Sequence, residues 1–280
     1  DFLKTNWIET QIEDNWRIIL KSWKAQELLD LLIKKTQENN TETQLNQEIL
    51  NIQKDWDLFT VTTETDEFKC KKLVIATWWI SYPKTWTTWY GLNLAKQFNL
   101  EVIKPYPALC GIETVEDLNT LSWSSIIADV KIFNNSKIIY QQEGNLLFTH
   151  RWLSGPIIFN ATAAIWEYLS KKWKYNTEYI QTNTRIEINI SPENLTKRLK
   201  QSELLSTANT LNLKIKQITN IDMAKVSWWW ISMNEINPNF ESKKIPNLFF
   251  IWETLDITGQ TWWFNLQWAW SSWFVCGKNI

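Results

Sequence analysis

The side chains best suited to chemistry lie directly after predicted β-strands. Glu253 and Asp256 follow the apolar segment 248–251, where a carboxylate can accept hydrogen bonds from ribose or ribityl hydroxyls. A loop rich in hydroxyl side chains, with Lys84, Thr85, Thr87 and Thr88, follows an earlier predicted strand. Solvated carboxylates, helix caps and threonines bonded to their own backbone have the same spacing. The pattern alone leaves both interpretations open.

Runs of tryptophan stand at the strand-to-loop junctions, where glycine is the usual residue. The sequence contains 21 Trp and 6 Gly, whereas average usage gives roughly 20 Gly for this length. The runs are Thr77-Trp78-Trp79, Ser227 to Trp230 and Thr261-Trp262-Trp263. Read as glycine, they become three Gly-rich turns, the third leading into a helix whose N-terminus favours an anion. Such a turn suits a phosphate or a flavin carbonyl.

The remaining reactive residue types give weaker signals. His150 is the only histidine, and in its segment it is more typical of a strand-end cap than of a general acid. Cys70, Cys110 and Cys276 are far apart and have no CxxC spacing, so we expect neither a disulfide framework nor a zinc site. Arg151 and Arg185 are expected on solvated faces.

Charge and hydropathy narrow the class of protein. Lys and Arg total 29 and Asp and Glu total 30, with no basic block, which argues against a nucleic-acid partner. No apolar stretch approaches a membrane span of about 20 residues, and the first residues lack the pattern of a signal peptide. We therefore expect a cytoplasmic protein with no nucleic-acid partner and no membrane contact.

The elements that must position these residues can be outlined. The spacing of leucines predicts an amphipathic helix over 25–40, followed by short strands and by the buried strand KLVIAT at 72–77. Residues 107–222 have the pattern of an inserted α+β domain. The elements predicted in it are a hairpin at an Asn-Asn turn, a separate strand at 145–150, a helix from Pro156 to about Lys171, a strand at 184–190, and a helix capped by Ser191 with Pro192 in its first turn.

Four segments resemble one family of bacterial flavoproteins. They are ATWWISYPKTWTTWYG, LLFTHRWLSGP, VSWWWIS and IWETLDITGQTWWFNLQWAWSSWF. The chain is similar, in order and spacing, to the BaiN-like or aminoacetone-oxidase-like NAD(P)/FAD-dependent oxidoreductases. The resemblance implies an α/β fold in which a Rossmann-like FAD-binding domain, 1–106 and 223–280, carries an inserted domain, 107–222, that contains a β-barrel.

The resemblance also implies a function and a site. It implies a flavin-dependent oxidoreductase that binds FAD, and NAD(P)H as the linked reductant, with an unidentified small-molecule substrate and catalytic residue. The helix N-terminus in TWWFNLQ would face the pyrimidine carbonyl edge of the flavin. The implied cofactor-binding residues are Thr77, Trp78, Trp79, Lys84, Thr85, Thr88, Glu253, Asp256, Trp262, Trp263, Phe264, Asn265 and Leu266.

The chain departs from the family pattern in two ways. It begins after the strand and G-x-G-x-x-G turn that hold the FAD pyrophosphate, so we expect an N-terminally incomplete domain. Tryptophan stands at family glycines, at 78, 79, 86, 89, 152, 228 or its neighbours, 252, 262, 263 and 273. We hypothesise that these codons are UGA, read as glycine by the cell, because ten such indoles would exceed the ~5–15 kcal/mol stability of a domain.

Two other functions stay open at this point. A chain that lacks the pyrophosphate turn and truly carries indoles in its loops could not hold FAD and would be a non-catalytic remnant or an interaction scaffold. A flavin-dependent tRNA-modifying enzyme is a further alternative, because related folds serve that purpose. The near-neutral charge argues against it.

Overall fold

The structure separates into two compact units, Asp1–Cys70 and Lys71–Ile280. A computed structural model describes residues 2–13, 17–77, 81, 90–103, 105–172, 176–206, 208–228, 230–260 and 262–280, without the side chains of Leu92, Trp228 and Trp262.

The first unit is built from short helices and antiparallel strands. Its elements are α1 (Phe2–Thr5), β1 (Thr10–Ile12), β2 (Ile18–Leu20), α2 (Ala25–Glu38), β3 (Ile49–Asp55), β4 (Leu58–Thr63) and β5 (Glu67–Cys70). β1 pairs with β2, and β3, β4 and β5 form a meander around the buried side chains of Ile52 and Phe59. α2 confirms the helix predicted from the leucine spacing.

The second unit begins and ends with the elements that carry the candidate site. They are β6 (Leu73–Ile75), α3 (Tyr90–Gln97), β7 (Tyr106–Ala108), and, after the barrel, β14 (Val226–Trp228), β15 (Leu248–Phe250) and α7 (Trp262–Asn279). β15 pairs with β6 in parallel, and β14 pairs with β7 antiparallel. β6 is shorter than the predicted strand, because only Leu73, Val74 and Ile75 of the segment KLVIAT pair with β15.

Between these elements the chain forms a closed six-stranded barrel. In chain order its region contains β8 (Ile112–Thr114), β9 (Ser125–Asn134), β10 (Lys137–Phe148), β11 (Leu153–Ser154), α4 (Pro156–Ser170), α5 (Thr177–Asn183), β12 (Thr184–Asn189), α6 (Lys197–Lys200) and β13 (Thr210–Ile218). The strands close in the order β10-β11-β8-β13-β12-β9. Alternate residues such as Val130, Ile186 and Leu211 are completely buried, as expected of strands with one face toward the barrel interior.

Two predicted elements inside the barrel region were wrong. Residues 145–150 do not form a separate strand, because β10 continues from the hairpin to Phe148. From Tyr140 onward β10 pairs with β9 without a break in register. Ser191 makes no side-chain cap bond, and Pro192–Asn194 forms only a 3-10 turn. The α-helix begins later because Thr196 accepts a hydrogen bond from the Leu199 N–H (3.3 Å). The predicted hairpin, helix α4 and strand β12 are confirmed.

The described residues contain neither a membrane-spanning helix nor a cluster of metal-binding side chains. Among these residues no helix combines the length and the apolar character that crossing a membrane requires. Nor do the described residues bring three or more His, Cys, Asp or Glu side chains together as a metal site would. The boundaries of the inserted domain at 107 and 222 stay predictions.

Candidate functional site

The candidate site lies at the carboxyl ends of the parallel strands β6 and β15. Leu248, Phe249 and Phe250 lie opposite Leu73, Val74 and Ile75 in the register of the pair. The Ile251 N–H extends the pairing by donating to the Ile75 carbonyl (3.1 Å). The segments that follow the two strands both leave the sheet at this edge. Ligands of open α/β sheets bind outside such carboxyl ends.

Two buried polar atoms at this edge have no hydrogen-bond partner among the residues that the structure describes. They are the Thr77 Oγ1, just past β6, and the Glu253 Oε2, just past β15. Glu253 is only 3% exposed. More than nine in ten buried polar groups in proteins are hydrogen-bonded, and an unsatisfied one costs about 1–3 kcal/mol. Two such atoms at one sheet edge leave hydrogen-bonding capacity that a bound molecule can satisfy.

Burial also shifts the ionisation of both predicted carboxylates. Removal from water raises the pKa of Glu253 to about 7, opposed only by a hydrogen bond from its own backbone N–H. Removal from water, and then the negative charge of Glu101, raise the pKa of Asp256 to about 6. Near neutral pH, Glu253 therefore exists in both forms. It can accept a hydrogen bond when ionised and donate one when protonated.

A glycine at the start of α3 allows the helix to approach Thr77. A Cβ added to Gly91 would collide with the Thr77 Oγ1, and it would also lie 3.9 Å from the Ile75 side chain. Gly91 is buried. Only glycine permits this approach, so α3 and the end of β6 enclose the Thr77 hydroxyl together.

The loop before α7 is held by an asparagine. Asn265 is completely buried, its Oδ1 accepts from the Gly259 N–H (2.9 Å), and its Nδ2 donates to the Gly259 carbonyl (3.2 Å). The predicted site residues beside it differ in environment, because Trp263 and Phe264 are exposed and Leu266 is half-buried. The structure therefore gives the Asn265 amide a positioning role at the helix N-terminus.

Two side chains of α7 fix the backbone beside Glu253. The Trp252 N–H donates to the Ser272 Oγ (3.0 Å), and the Trp268 Nε1 donates to the Trp252 carbonyl (2.9 Å). Sequence reasoning missed Ser272, because nothing in the sequence connects a helix serine to a strand end 20 residues earlier. A third chain segment adjoins the same edge, since the Asp256 N–H donates to the Ile231 carbonyl (2.9 Å).

Several predicted residues are not part of this described edge. Trp78, Trp79, Lys84, Thr85 and Thr88 lie outside the described residues, as does the side chain of Trp262. His150 lies in the connection from β10 to β11, where its Nε2 accepts a hydrogen bond from the Trp123 Nε1 (2.9 Å). Arg185 lies on β12 of the barrel, over the Phe133 ring.

Comparison with known proteins assigns the chain to a family. The sequence profile described as HI0933-like protein Rossmann domain matches residues 1–279. The chain belongs to the HI0933-like Rossmann domain family. The predicted fold class, a Rossmann-like α/β protein with a β-barrel, is thereby confirmed.

Two relatives carry the same name. The chain is 26% identical, over an alignment 301 positions long, to the ribosomal RNA dihydrouridine synthase of Escherichia coli K12. The alignment covers 91% of this chain and 72% of the relative. It is 28% identical over 266 residues to the ribosomal RNA dihydrouridine synthase of Haemophilus influenzae, covering 79% of this chain and 63% of the relative. The chain thus spans about two thirds of these relatives. Their names refer to RNA, so the expected absence of a nucleic-acid partner is not confirmed.

Proposed function

We propose that this chain forms the flavin-binding part of an FAD-dependent oxidoreductase. The observation that carries the proposal is the pair of unpartnered buried atoms, the Thr77 Oγ1 and the Glu253 Oε2, at the carboxyl edge of two parallel strands. Membership in a Rossmann-domain family supports a nucleotide ligand at this edge.

The chemistry of the edge fits FAD. The ribityl and ribose hydroxyls of FAD are hydrogen-bond donors, and an ionised Glu253 or Asp256 accepts from them. The Thr77 hydroxyl can donate to a flavin carbonyl or phosphate oxygen. When bound, FAD supplies hydride transfer, and the protein supplies its position and electrostatic environment. The other residues proposed to contact it lie after β6 and at the start of α7: Trp78, Trp79, Lys84, Thr85, Thr88, Trp262, Trp263, Phe264 and Leu266.

For the substrate we propose a uridine base of ribosomal RNA, with NAD(P)H as the reductant. The names of both relatives support this choice over the small molecule that the flavoprotein resemblance implied. The reaction adds one hydride and one proton across the C5–C6 double bond of uracil, and NAD(P)H is oxidised to NAD(P)⁺. A small-molecule oxidoreductase of the aminoacetone-oxidase-like type is the competing substrate class.

The flavin proposal is tested by FAD affinity in full-length protein. Glu253→Gln is expected to weaken FAD binding about tenfold, because a neutral amide replaces a charge-assisted acceptor, and Thr77→Val about threefold. Glu187→Gln on β12 and Thr114→Val on β8 are the matched controls, since both side chains already have protein partners. Isothermal titration or fluorescence gives the dissociation constants. Equal effects of site and control variants, or no FAD binding by the wild type, would contradict the proposal.

The substrate proposal has a separate test. Full-length protein loaded with FAD is incubated with ribosomal RNA lacking dihydrouridine, and with NADH or NADPH, and the nucleosides are analysed by mass spectrometry. We expect dihydrouridine only when a reductant is present. A protein that binds FAD but leaves the RNA unchanged would favour the small-molecule class and leave the flavin proposal standing. A protein that binds no FAD would favour the non-catalytic scaffold.

A further inference from the structure

Five tryptophans of the described chain have a backbone conformation that favours glycine. Their φ angles are 63° for Trp7, 57° for Trp23, 53° for Trp56, 64° for Trp123 and 62° for Trp252. In this left-handed region the Cβ of an L-residue crowds the following carbonyl oxygen, and only Gly, Asn and Asp enter it routinely. Among described non-glycine residues the other positive φ angles belong to six asparagines, Leu109 and Phe240.

Glycine itself is scarce in this conformation. One described glycine, Gly155, has a positive φ, against five tryptophans. Asparagine adopts the conformation because its short polar side chain bonds locally, whereas an indole has no such compensation. Tryptophan therefore occupies the positions that glycine occupies in other proteins.

Trp7 stands at a position defined by hydrogen bonds. At the end of α1 the Trp7 N–H donates to the Lys4 carbonyl (3.1 Å) and the Ile8 N–H donates to the Leu3 carbonyl (3.0 Å). These two bonds form a Schellman motif with Trp7 at C′, the position most often occupied by glycine. At the ends of α2 and α3 the same motif has Asn40 and Asn99 at C′.

Trp56 stands in a tight hairpin turn. Asp55 and Leu58 are the last paired residues of β3 and β4, so Trp56 is the first residue of a two-residue loop. A positive φ at this position is typical of a type II′ turn, which takes glycine there. The indoles of Trp7 and Trp56 are 92% and 96% exposed, so they bury no surface that would offset the strain.

Two other tryptophans, Trp166 and Trp268, pack against aromatic rings and donate hydrogen bonds from their indoles. Trp166 is 4% exposed, donates from its Nε1 to the Pro107 carbonyl (2.6 Å) and stacks on Tyr106 at 4.5 Å between ring centroids. Trp268 donates to the Trp252 carbonyl and contacts the Phe240 ring edge to face. Neither has a positive φ. Of the five tryptophans with positive φ, Trp123 also donates from its Nε1, to His150, but it remains 69% exposed.

We propose that the protein made in its source cell carries glycine at positions 7, 23, 56, 123 and 252, because its gene has UGA there and the cell reads UGA as glycine. Four of these positions, all but 252, are assigned by backbone geometry and not by resemblance to any family. At 252 the consequence reaches the candidate site, since glycine removes an indole next to Glu253. The assignment does not depend on FAD binding.

The test compares the gene with the protein isolated from its source cells. We expect UGA codons at the five positions, peptide masses that correspond to glycine there, and UGG codons with tryptophan masses at 166 and 268. UGG at the five positions, or tryptophan in their peptides, would overturn the proposal. UGA and glycine at 166 and 268 as well would overturn the assignment by backbone geometry.

A second measurement uses recombinant full-length protein, in which UGG codons place tryptophan at every position. Trp56→Gly is expected to raise the midpoint of thermal unfolding by about 2–4 °C, whereas Trp56→Ala keeps the Cβ and recovers less. Trp166→Gly is the control and is expected to lower the midpoint. A lower midpoint for Trp56→Gly than for Trp56→Ala would contradict the proposal.

Discussion

At the scale of single residues, the candidate site depends on Glu253, a buried carboxyl group whose Oε2 has no hydrogen-bond partner among the described residues. The positions of Glu253 and Thr77 after strand ends were predicted, because strand ends are recognisable in the sequence, and their role in FAD binding stays a proposal. The burial of their side chains was not predictable. α3 can approach Thr77 because residue 91 is glycine, and Ser272 of α7 holds the backbone beside Glu253.

The raised pKa of Glu253 predicts how stability depends on pH. Because burial raises the pKa from 4.5 to about 7, the favourable contribution of the protonated group is complete below about pH 4.5 and is lost as the pH rises through 7. The loss is on the order of 3 kcal/mol. In full-length protein without FAD, Glu253→Gln is therefore expected to stabilise at pH 8 and to flatten the dependence of the unfolding midpoint on pH.

A control of opposite sign is available for this prediction. Partners on the barrel, chiefly Asn189 and Lys131, outweigh burial and lower the pKa of Glu187, so its contribution is present at neutral pH and is lost on acidification. Glu187→Gln should therefore destabilise at pH 8. Thermal unfolding monitored by circular dichroism between pH 5 and pH 8 separates the two. The same pH profile for wild type and Glu253→Gln would contradict the assignment of this carboxyl.

At the scale of elements, local patterns predicted what local contacts determine. α2, α4 and the hairpin of β9 and β10 were correctly predicted, since apolar spacing, Pro at N1 and turn residues act within a few residues. The continuation of β10 and the absence of a cap at Ser191 were not predicted. The continuation of β10 depends on its pairing with β9. The start of the helix depends on which hydroxyl, that of Ser191 or that of Thr196, accepts a backbone N–H.

The contact between α3 and β6 gives a prediction with a matched control. Gly91→Ala places a Cβ against the Thr77 hydroxyl, so we expect FAD binding to weaken about tenfold and the free energy of unfolding to fall by about 1–3 kcal/mol. Gly277→Ala in α7 meets no atom within 4 Å and should raise that free energy by about 0.5–1 kcal/mol. Chemical denaturation and FAD titration of full-length protein measure both. Equal effects of the two substitutions would contradict the enclosed position of Thr77.

At the scale of the whole molecule, amino-acid composition is less informative about binding partners than the arrangement of strands is about the fold. A net charge of −1 is a sum over all residues, and it does not report where Lys and Arg side chains gather, so it could not exclude RNA. The barrel, in contrast, places every one of its six strands between two neighbours. Its closure was expected from family resemblance and could not be derived from strand patterns, which do not specify the order of strands.

The most direct test is a crystal structure of the full-length protein with FAD bound. We expect oxygen or nitrogen atoms of FAD within hydrogen-bond distance of the Thr77 Oγ1 and the Glu253 Oε2, at the carboxyl edge of β6 and β15. FAD bound at another place, with those two atoms still without partners, would contradict the proposed site.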